Sequence, residues 1–367
     1  MQCQAAITSD RAGRPFECRT VTLDEPRDDE ILVRVTGVGI CHSDLTFHTM
    51  VASHGPHLLG HEGAGIVERT GKAVTSVAPG DKVVLSFRSC DDCPACRAGS
   101  PAYCRRFEEL NIAFRRGDGS SPVTDSDGSS IGSCFFGQSS FADHAIAYED
   151  NVVKVPDDVP VELLGPLGCG VQTGAGAVLR SLACTPASSL LVTGGGTVGL
   201  SAVLAAKLAG CTIIVVSEPS SVRRQMALEL GASHVIDPAA GALADMALGI
   251  SPDGFDYAID TTARTDVLTG IADAMAARGV IGILGMFPDP AALCPIPINQ
   301  IMAKGLSIRG VCEGDSDPQQ FIPELIEHWR SGRFPFDRMI RTFRLDEINE
   351  AVEVLESGAA IKAVLLT

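Results

Sequence analysis

Apolar and polar positions alternate with the period of β-strands through about the first 88 residues. Residues 31–35 and 65–69 are rich in β-branched side chains, and Pro79-Gly80-Asp81 gives a turn before the apolar run at 82–85. Short strands with closely spaced turns are typical of an all-β barrel. This part of the sequence therefore predicts a barrel-like β domain.

From about residue 171 to residue 311, short apolar runs alternate with helical segments. The predicted strands cover residues 190–193, 213–216, 235–236, 255–260, 280–285 and 306–310. The predicted helices cover residues 171–182, 200–209, 221–230 and 265–276. Alternating strands and helices indicate a parallel sheet with helices on both faces. The tail adds predicted helices at 321–330 and 347–356 and a strand at 361–365.

Between these two regions the pattern is less regular. Residues 105–133 are polar and irregular, which predicts a surface loop. Residues 135–142 return to a strand-like pattern, and their Phe135 and Phe136 are expected in the core rather than in a binding pocket.

A glycine-rich turn follows the predicted strand at 190–193 and opens the next helix. Glycines at these spacings allow a tight turn, close approach of the backbone to a pyrophosphate, and packing of the helix on the strand. The helix N-terminus then offers N–H groups to the phosphates. An acid at the end of the following strand suits the ribose 2′-hydroxyl. We predict a dinucleotide site built from Gly194, Gly196, Thr197, Val198, Gly199 and Glu218.

The residues that follow the predicted strand at 213–216 indicate which dinucleotide is bound. Glu218 favours NAD, because its carboxylate accepts from the ribose hydroxyl and would repel a 2′-phosphate. Arg223 and Arg224 follow closely among several serines, and such residues can hold a 2′-phosphate. NAD is the predicted cofactor, with NADP as the alternative.

Four cysteines form the strongest local motif in the chain. They follow the spacing C-x2-C-x2-C-x7-C, at Cys90, Cys93, Cys96 and Cys104. Four thiolates can surround one tetrahedral ion and leave no position for a substrate. We predict a structural zinc lobe at about residues 88–106; an iron–sulfur cluster is the less favoured alternative.

Three further residues have the composition of a catalytic metal site. Cys41 and His61 stand in separate glycine-flanked loops, and Cys169 stands between glycines before a helical run. Two cysteines and one histidine leave the fourth position of a zinc ion open for water or a substrate oxygen.

Composition narrows the choice of partners and compartment. The chain has 367 residues, 45% of them apolar, and a net charge of −16. That length suggests about two domains, and the negative charge argues against nucleic acid or an anionic membrane as a partner. The apolar region at 189–216 is broken by glycines and Lys207, so we expect a buried core rather than a membrane span. Without an export signal, the thirteen cysteines suggest reduced thiols in the cytoplasm.

Taken together, the two cysteine-containing motifs and the glycine-rich turn resemble the zinc-dependent medium-chain alcohol dehydrogenases over essentially the whole chain. The stretches 135–141, 163–170 and 313–318 are similar to the aryl-alcohol (benzyl-alcohol) dehydrogenase branch. The resemblance implies an α/β plus β fold: a GroES-like barrel from residues 1–170 and 312–367, and a doubly wound Rossmann domain from 171–311. It also implies a homodimer or homotetramer.

The same resemblance implies an activity and roles for individual residues. A primary aromatic or allylic alcohol would be interconverted with its aldehyde, with zinc as Lewis acid and hydride transfer to NAD. Ser43 would take the alcohol proton, and Asp44 would orient the ligand His61. His42 and Lys362 would contact the pyrophosphate. Glu62 would either approach the metal transiently or have a structural role.

Thr46 departs from the pattern of the family. Many members carry a histidine there, which completes a proton relay to solvent. Either Thr46 and ordered water continue the relay, or protons leave by another route. His48 is close in sequence, and we expect Ser43 to be essential and His48 not.

Rival functions on the same fold remain open from the sequence. They are a glutathione-dependent formaldehyde dehydrogenase, a formaldehyde dismutase-like protein that retains its nicotinamide, and a non-catalytic lens-type protein. The last of these usually lacks the zinc ligands, all seven of which this chain keeps.

Overall fold

A computed structural model describes residues 1–9, 15–51, 54–287 and 289–367. The chain divides into two compact units. Unit 1 contains Met1–Cys169, Asp317–Ile326 and Ile340–Thr367, and unit 2 contains Gly170–Ser316 and Glu327–Met339.

The strands are, in chain order, β1 (Gln2–Thr8), β2 (Phe16–Leu23), β3 (Glu30–Gly39), β4 (Gly63–Thr70), β5 (Lys82–Leu85), β6 (Val123–Thr124), β7 (His144–Tyr148), β8 (Val152–Lys154), β9 (Ser189–Thr193), β10 (Ile213–Ser217), β11 (His234–Ile236), β12 (Phe255–Asp260), β13 (Met275–Ile283), β14 (Ser307–Gly310), β15 (Ile340–Arg344) and β16 (Lys362–Leu366). The helices are α1 (His42–Val51), α2 (Pro94–Arg97), α3 (Phe107–Asn111), α4 (Gly170–Gly176), α5 (Thr197–Ala209), α6 (Ser221–Leu230), α7 (Leu243–Ile250), α8 (Thr265–Ala274), α9 (Ile298–Lys304), α10 (Pro318–Arg330) and α11 (Ile348–Glu356).

Unit 1 is built on β-sheets. A sheet in the order β15-β16-β3-β4-β5-β8, with β7 also paired to β3, lies beside a smaller sheet, β1-β2-β6. All of these pairs are antiparallel except β15 with β16. Strand β3 is central, and its Ile31, Leu32 and Val33 have no exposed surface, which explains the apolar run in the sequence. The last strand, β16, pairs with the end of β3, so the tail completes unit 1.

Unit 2 is a parallel sheet in the order β11-β10-β9-β12-β13-β14. Strand β9 is central, since β10 and β12 pair with it on either side. The order reverses at β9, so the loop that follows it lies at the switch point where doubly wound folds bind dinucleotides. The predicted fold class is confirmed.

The tail is divided between the units in a way that the sequence analysis did not anticipate. We placed all of 312–367 in the barrel domain, whereas residues 327–339 group with unit 2. Phe334 and Phe336 in this stretch are fully buried. Gly314 also belongs to unit 2, because its backbone lies so close to α4 that a Cβ on Gly176 would meet its carbonyl oxygen at 2.3 Å.

Several local predictions were wrong. Residues 135–137 form a 3-10 turn and not a strand, because Cys134 and Phe136 take left-handed backbone conformations, with φ of 65° and 51°. The residues after Cys41 begin helix α1 rather than a loop. The structure also contains α7, α9 and β7, which the sequence analysis did not assign. Among the described residues, no helix has the length and apolar character needed to cross a membrane.

Candidate active site

Asp44 organises the ligand loops of unit 1 from the first turn of α1. Its carboxylate is fully buried and accepts three N–H groups. The donors are the Cys41 backbone at 2.9 Å, the Gly60 backbone at 3.1 Å and Nδ1 of His61 at 2.8 Å. One carboxylate therefore joins two segments of chain that the sequence separates, and it fixes the orientation of the His61 ring.

The loop that carries His61 is held from both sides. Gly60 has φ +90°, and a Cβ there would meet the Phe141 nitrogen at 2.4 Å, so only glycine fits. On the other side, the buried Gln138 donates to the His61 carbonyl at 3.0 Å and accepts from the Gly63 nitrogen at 3.0 Å. Sequence reasoning missed Gln138, because nothing local marks a glutamine that acts 77 residues away.

The three predicted ligands of the catalytic metal come together. Ligand atoms of Cys41, His61, Glu62 and Cys169 all lie within 4.8 Å of one another. Cys169 follows a 3-10 turn whose Gly168 carbonyl accepts from Ser86 at 2.6 Å, which fixes that turn beside β5. Nε2 of His61 is buried and has no hydrogen-bond partner among the described residues. An unpartnered imidazole nitrogen facing two sulfurs fits a zinc ion.

Electrostatics favour the ligand form of Cys41. A hydrogen bond from Cys169, together with the nearby His61 and Lys362, holds the pKa of the Cys41 thiol well below its ordinary value, against the effect of burial. Burial lowers the pKa of His61, but the charge and hydrogen bond of Asp44 outweigh it and raise that pKa. Because thiolate is the form that binds metal, the cluster is suited to a cation.

Glu62 and Lys362 form a buried ion pair beside this cluster. Lys362 Nζ lies 2.5 Å from Glu62 Oε2 and donates to the Ile40 carbonyl at 2.9 Å. Burial raises the pKa of Glu62 to about 7, while the ammonium of Lys362 lowers it. Lys362 is only 2% exposed, so its charge is directed at Glu62 and the metal cluster rather than at solvent. Its predicted contact with a pyrophosphate stays a prediction.

The other predicted residues of this region lie along α1. Ser43 Oγ lies 3.8 Å from Cys41 Sγ, so it borders the metal cluster. His42 is exposed, and with Thr46 it lines a cavity of ≈ 390 Å³. Thr46 donates to the His42 carbonyl at 3.2 Å.

Aromatic rings surround the ligand histidine. The His61 ring lies 5.3 Å from the Phe135 ring and 4.6 Å from the Phe136 ring, between centroids. Phe114 stacks on Phe135, and Phe47 packs on both. Phe47 and Phe114 were not singled out from the sequence, since a lone phenylalanine gives no sign of its neighbours.

The second cluster is the four-cysteine lobe. Ligand atoms of Cys90, Cys93, Cys96 and Cys104 lie within 4.8 Å of one another. Backbone N–H groups of the lobe donate hydrogen bonds to its sulfurs. The Cys93 nitrogen lies 3.3 Å from Cys90 Sγ, the Arg105 nitrogen 3.4 Å from Cys93 Sγ, and the Arg106 nitrogen 3.4 Å from Cys104 Sγ. The hydrogen bond from Arg105 is the main reason that the pKa of Cys93 falls to about 6. Four sulfurs held in this way fit a single ion and leave no place for a substrate.

In unit 2, the glycine-rich turn links β9 to α5. Gly194 has φ +95°, and a Cβ on Gly199 would meet the Gly194 oxygen at 1.9 Å, so both positions need glycine. Gly196 is the N-cap of α5 and faces open space. Thr197 and Val198 are half-buried in the first turn of α5. The turn is therefore shaped to let a phosphate reach the helix N-terminus.

Glu218 lies beside this turn, 4% exposed. Its Oε2 accepts from the Gly195 nitrogen at 2.7 Å, and its Oε1 accepts from the Ser220 nitrogen at 2.8 Å. Arg224 donates to the Glu218 and Pro219 carbonyls, both at 2.7 Å, and pairs with Asp237 at 2.9 Å. The backbone of Arg223 belongs to the start of α6, where its N–H donates to Ser220 Oγ at 3.4 Å.

A β unit with a cysteine–histidine cluster suited to a metal ion, together with a doubly wound unit with a nucleotide-type turn, is typical of metal-dependent dehydrogenases. Comparison with known proteins gives the same class. Residues 27–157 match the model of the alcohol dehydrogenase GroES-like domain, and residues 197–328 match the zinc-binding dehydrogenase model.

Individual relatives are similar over their whole lengths. The chain is 44% identical to a geraniol dehydrogenase of Castellaniella defragrans, covering 100% of this chain and 98% of the relative. Among solved structures, it is similar to an alcohol dehydrogenase zinc-binding domain protein from Burkholderia ambifaria, with TM-score 0.96, 42% identity and coverage of 100% and 99%. It is also similar to the benzyl alcohol dehydrogenase of Acinetobacter calcoaceticus, with TM-score 0.94, 38% identity and coverage of 100% and 99%. The chain belongs to the zinc-dependent medium-chain alcohol dehydrogenase family, and it is an alcohol dehydrogenase.

Proposed function

We propose that this alcohol dehydrogenase interconverts a primary aromatic or allylic alcohol and its aldehyde, with NAD as the hydride carrier and two zinc ions per chain. The observation that carries the proposal is the cluster of Cys41, His61 and Cys169, with aromatic rings packed against its histidine. Relatives named for geraniol, an allylic alcohol, and for benzyl alcohol support the substrate class.

The ligand residues would hold zinc, which as a Lewis acid lowers the pKa of an alcohol oxygen. Asp44 keeps Nδ1 of His61 protonated, so that Nε2 faces the cluster. Ser43 borders Cys41 and would accept the alcohol proton. Phe135 and Phe136 are buried, cover His61 and keep water away from it.

NAD would bind at the turn between β9 and α5, and its nicotinamide would accept the hydride. Gly196 and the N–H groups of α5 would receive the diphosphate. Glu218 is held rigidly by two backbone N–H groups, and it would accept from the ribose hydroxyls. Because Arg224 is already paired with Asp237, its guanidinium would not be free to bind a 2′-phosphate.

The four-cysteine lobe would hold the second zinc, with a structural role.

All thirteen cysteines are free of disulfides, which supports a reducing compartment, the cytoplasm.

Matched substrates test the proposal. Benzyl alcohol is compared with cyclohexylmethanol, and geraniol with citronellol, each with NAD and with NADP. We expect kcat/KM to be at least about tenfold higher for the aromatic or allylic member of each pair, a difference of the size that one pocket contact gives. Equal values within each pair would contradict the substrate class, and a strong preference for NADP would contradict the cofactor. Retention of nicotinamide through purification would favour the dismutase-like alternative instead.

A further inference from the structure

A third group of metal-ligating side chains lies in unit 1 and shares no residue with the two clusters above. It consists of Cys3 on β1, Asp143 just before β7, and His144 at the start of β7. One ligand atom from each lies within 4.8 Å of the others. No local pattern in the sequence indicates this group, because Cys3 is far from Asp143 and His144 along the chain.

The backbone holds these residues in fixed positions. Gln4 donates its N–H to Asp143 Oδ2 at 3.1 Å, and the Asp143 N–H donates to the Gln4 carbonyl at 3.0 Å. Cys3 Sγ lies 3.8 Å from the His144 carbonyl oxygen. The ligand atoms therefore meet without any rearrangement of the two chain segments.

Both ring nitrogens of His144 face carboxylates. Nδ1 lies 2.9 Å from Asp143 Oδ1, and Nε2 lies 3.4 Å from Glu68 Oε2. Histidines that bind metal through one nitrogen commonly donate the other N–H to a carboxylate, which fixes the tautomer and the ring orientation. Glu68 is positioned to accept the N–H of His144 Nε2. Nδ1 of the same ring then faces Cys3 and Asp143.

A histidine between two acids also makes an ordinary ion-pair network, but such a network has no need of Cys3. The Cys3 thiol is only 2% exposed, and its sulfur lies within 4.8 Å of ligand atoms of Asp143 and His144. The charges match a divalent cation: Asp143 and a Cys3 thiolate supply two negative charges, while Arg34 Nε lies 3.5 Å from Glu68 and neutralises that acid. A thiolate ligand favours zinc over magnesium or calcium, which prefer oxygen.

We propose that Cys3, Asp143 and His144 form a third zinc site, with water as the fourth ligand, which joins β1 to β7. This site is separate from the proposed function. Burial raises the pKa of the Cys3 thiol, and the hydrogen bond to Asp143 raises the pKa of His144, so zinc has to displace both protons.

The test counts zinc in wild-type protein, in Cys3→Ser and in His144→Gln, each equilibrated with buffered free zinc and measured by plasma mass spectrometry. We expect each variant to hold one equivalent of zinc fewer than the wild type. Cys18→Ser is the matched control, because Cys18 is an exposed thiol on the neighbouring strand β2 and lies outside the cluster. It should hold as much zinc as the wild type.

Thermal unfolding provides a second measurement if a variant folds poorly. Added zinc should raise the Tm of the wild type and of Cys18→Ser by more than that of Cys3→Ser and His144→Gln, which keep only the other two sites. Oxidation of benzyl alcohol serves as a folding control and should persist in all four proteins. Equal zinc content in the wild type and both site variants would overturn the proposal of a third site, whatever the number of zinc ions bound at the other two clusters.

Discussion

The resemblance predicts that Thr46 replaces the histidine of a proton relay, so we expect the proton to leave this chain by another route. Its hydroxyl is bound to the His42 carbonyl at 3.2 Å. His48 is the nearest alternative in sequence, but its Nε2 lies 3.0 Å from the Ser9 carbonyl and its ring packs on Phe16. These contacts hold His48 beside the end of β1 and the start of β2 rather than beside the metal cluster.

We therefore predict opposite results for two substitutions. Ser43→Ala should lower kcat by about a hundredfold or more, because a positioned proton acceptor contributes about 10² to 10⁴ in rate. His48→Ala should change kcat by less than about threefold, an effect well below that of a proton acceptor. The measurement is steady-state oxidation of benzyl alcohol, with Ser43→Thr as a control that keeps the hydroxyl. An active Ser43→Ala enzyme, or near-total loss of activity in His48→Ala, would contradict this assignment.

Asp237 pairs with Arg224, and we predict that this pairing keeps the Arg224 guanidinium from binding a 2′-phosphate. Their ion pair, at 2.9 Å, is half-exposed on the Asp237 side. We predict that Asp237→Ala tightens binding of adenosine 2′,5′-bisphosphate about tenfold, because a freed guanidinium makes a charge-assisted hydrogen bond to phosphate. Calorimetry with this ligand and with ADP as the control measures the change.

A double variant isolates the cause of that change. In Asp237→Ala with Arg224→Ala the gain should disappear, since the cation itself is gone. If the double variant keeps the gain, the loss of acidic charge alone explains it, and the proposed role of Arg224 is wrong.

Among the elements, we expect the four-cysteine lobe to depend most on a bound metal. Its helix α2 has no buried residue, so the lobe has little apolar core to support its fold. Binding of an ion is then coupled to folding of the segment. The backbone N–H groups that donate to these sulfurs stabilise them most strongly as negatively charged thiolates.

We predict that Cys96→Ser removes one zinc per chain and makes the lobe sensitive to trypsin. Cleavage should occur after Arg97 and Arg105, which are exposed. Limited proteolysis followed by mass spectrometry locates the cuts. Cys294→Ser, which changes an exposed cysteine outside the cluster, should resist trypsin as the wild type does. A lobe that stays intact in Cys96→Ser would show that its fold needs no ion.

For the whole molecule, the β14 edge of the unit 2 sheet is the surface where we predict contact with a partner. Strand β14 ends the strand order, and exposed edge strands are templates for pairing. Exposed apolar side chains precede it: Leu293 is 83% exposed, Ile298 82% and Met302 73%. We propose that a second copy of the chain covers this surface.

Disruption of that surface should therefore dissociate the oligomer. We predict that Ile298→Lys combined with Met302→Lys shifts the sedimentation coefficient from that of a dimer or tetramer to a smaller species. Val222→Lys is the control, because Val222 is 57% exposed on α6, another helix of the same unit. Unchanged sedimentation of the double variant would place the interface elsewhere.

Spacing along the chain was enough to predict the features that are local. The four cysteines lie within fifteen residues, and one short lobe brings them together. The turn from Gly194 to Gly199 needs glycine for reasons of backbone geometry, so its sequence pattern reports its shape. The alternation of strands and helices likewise predicted the parallel sheet, because each element must bury one face.

Contacts between distant segments were decided only by the tertiary structure. The pairing of Arg224 with Asp237, the burial of Lys362 against Glu62, and the packing of Phe114 on Phe135 depend on side chains whose own neighbours in sequence carry no signal. The turn at Phe135–Gly137 was mispredicted for the same reason: its apolar residues suit a strand, but their packing around His61 requires left-handed backbone. The sequence by itself determined the family and its local motifs. The tertiary structure decided which distant side chains meet, since that depends on how whole strands and helices pack.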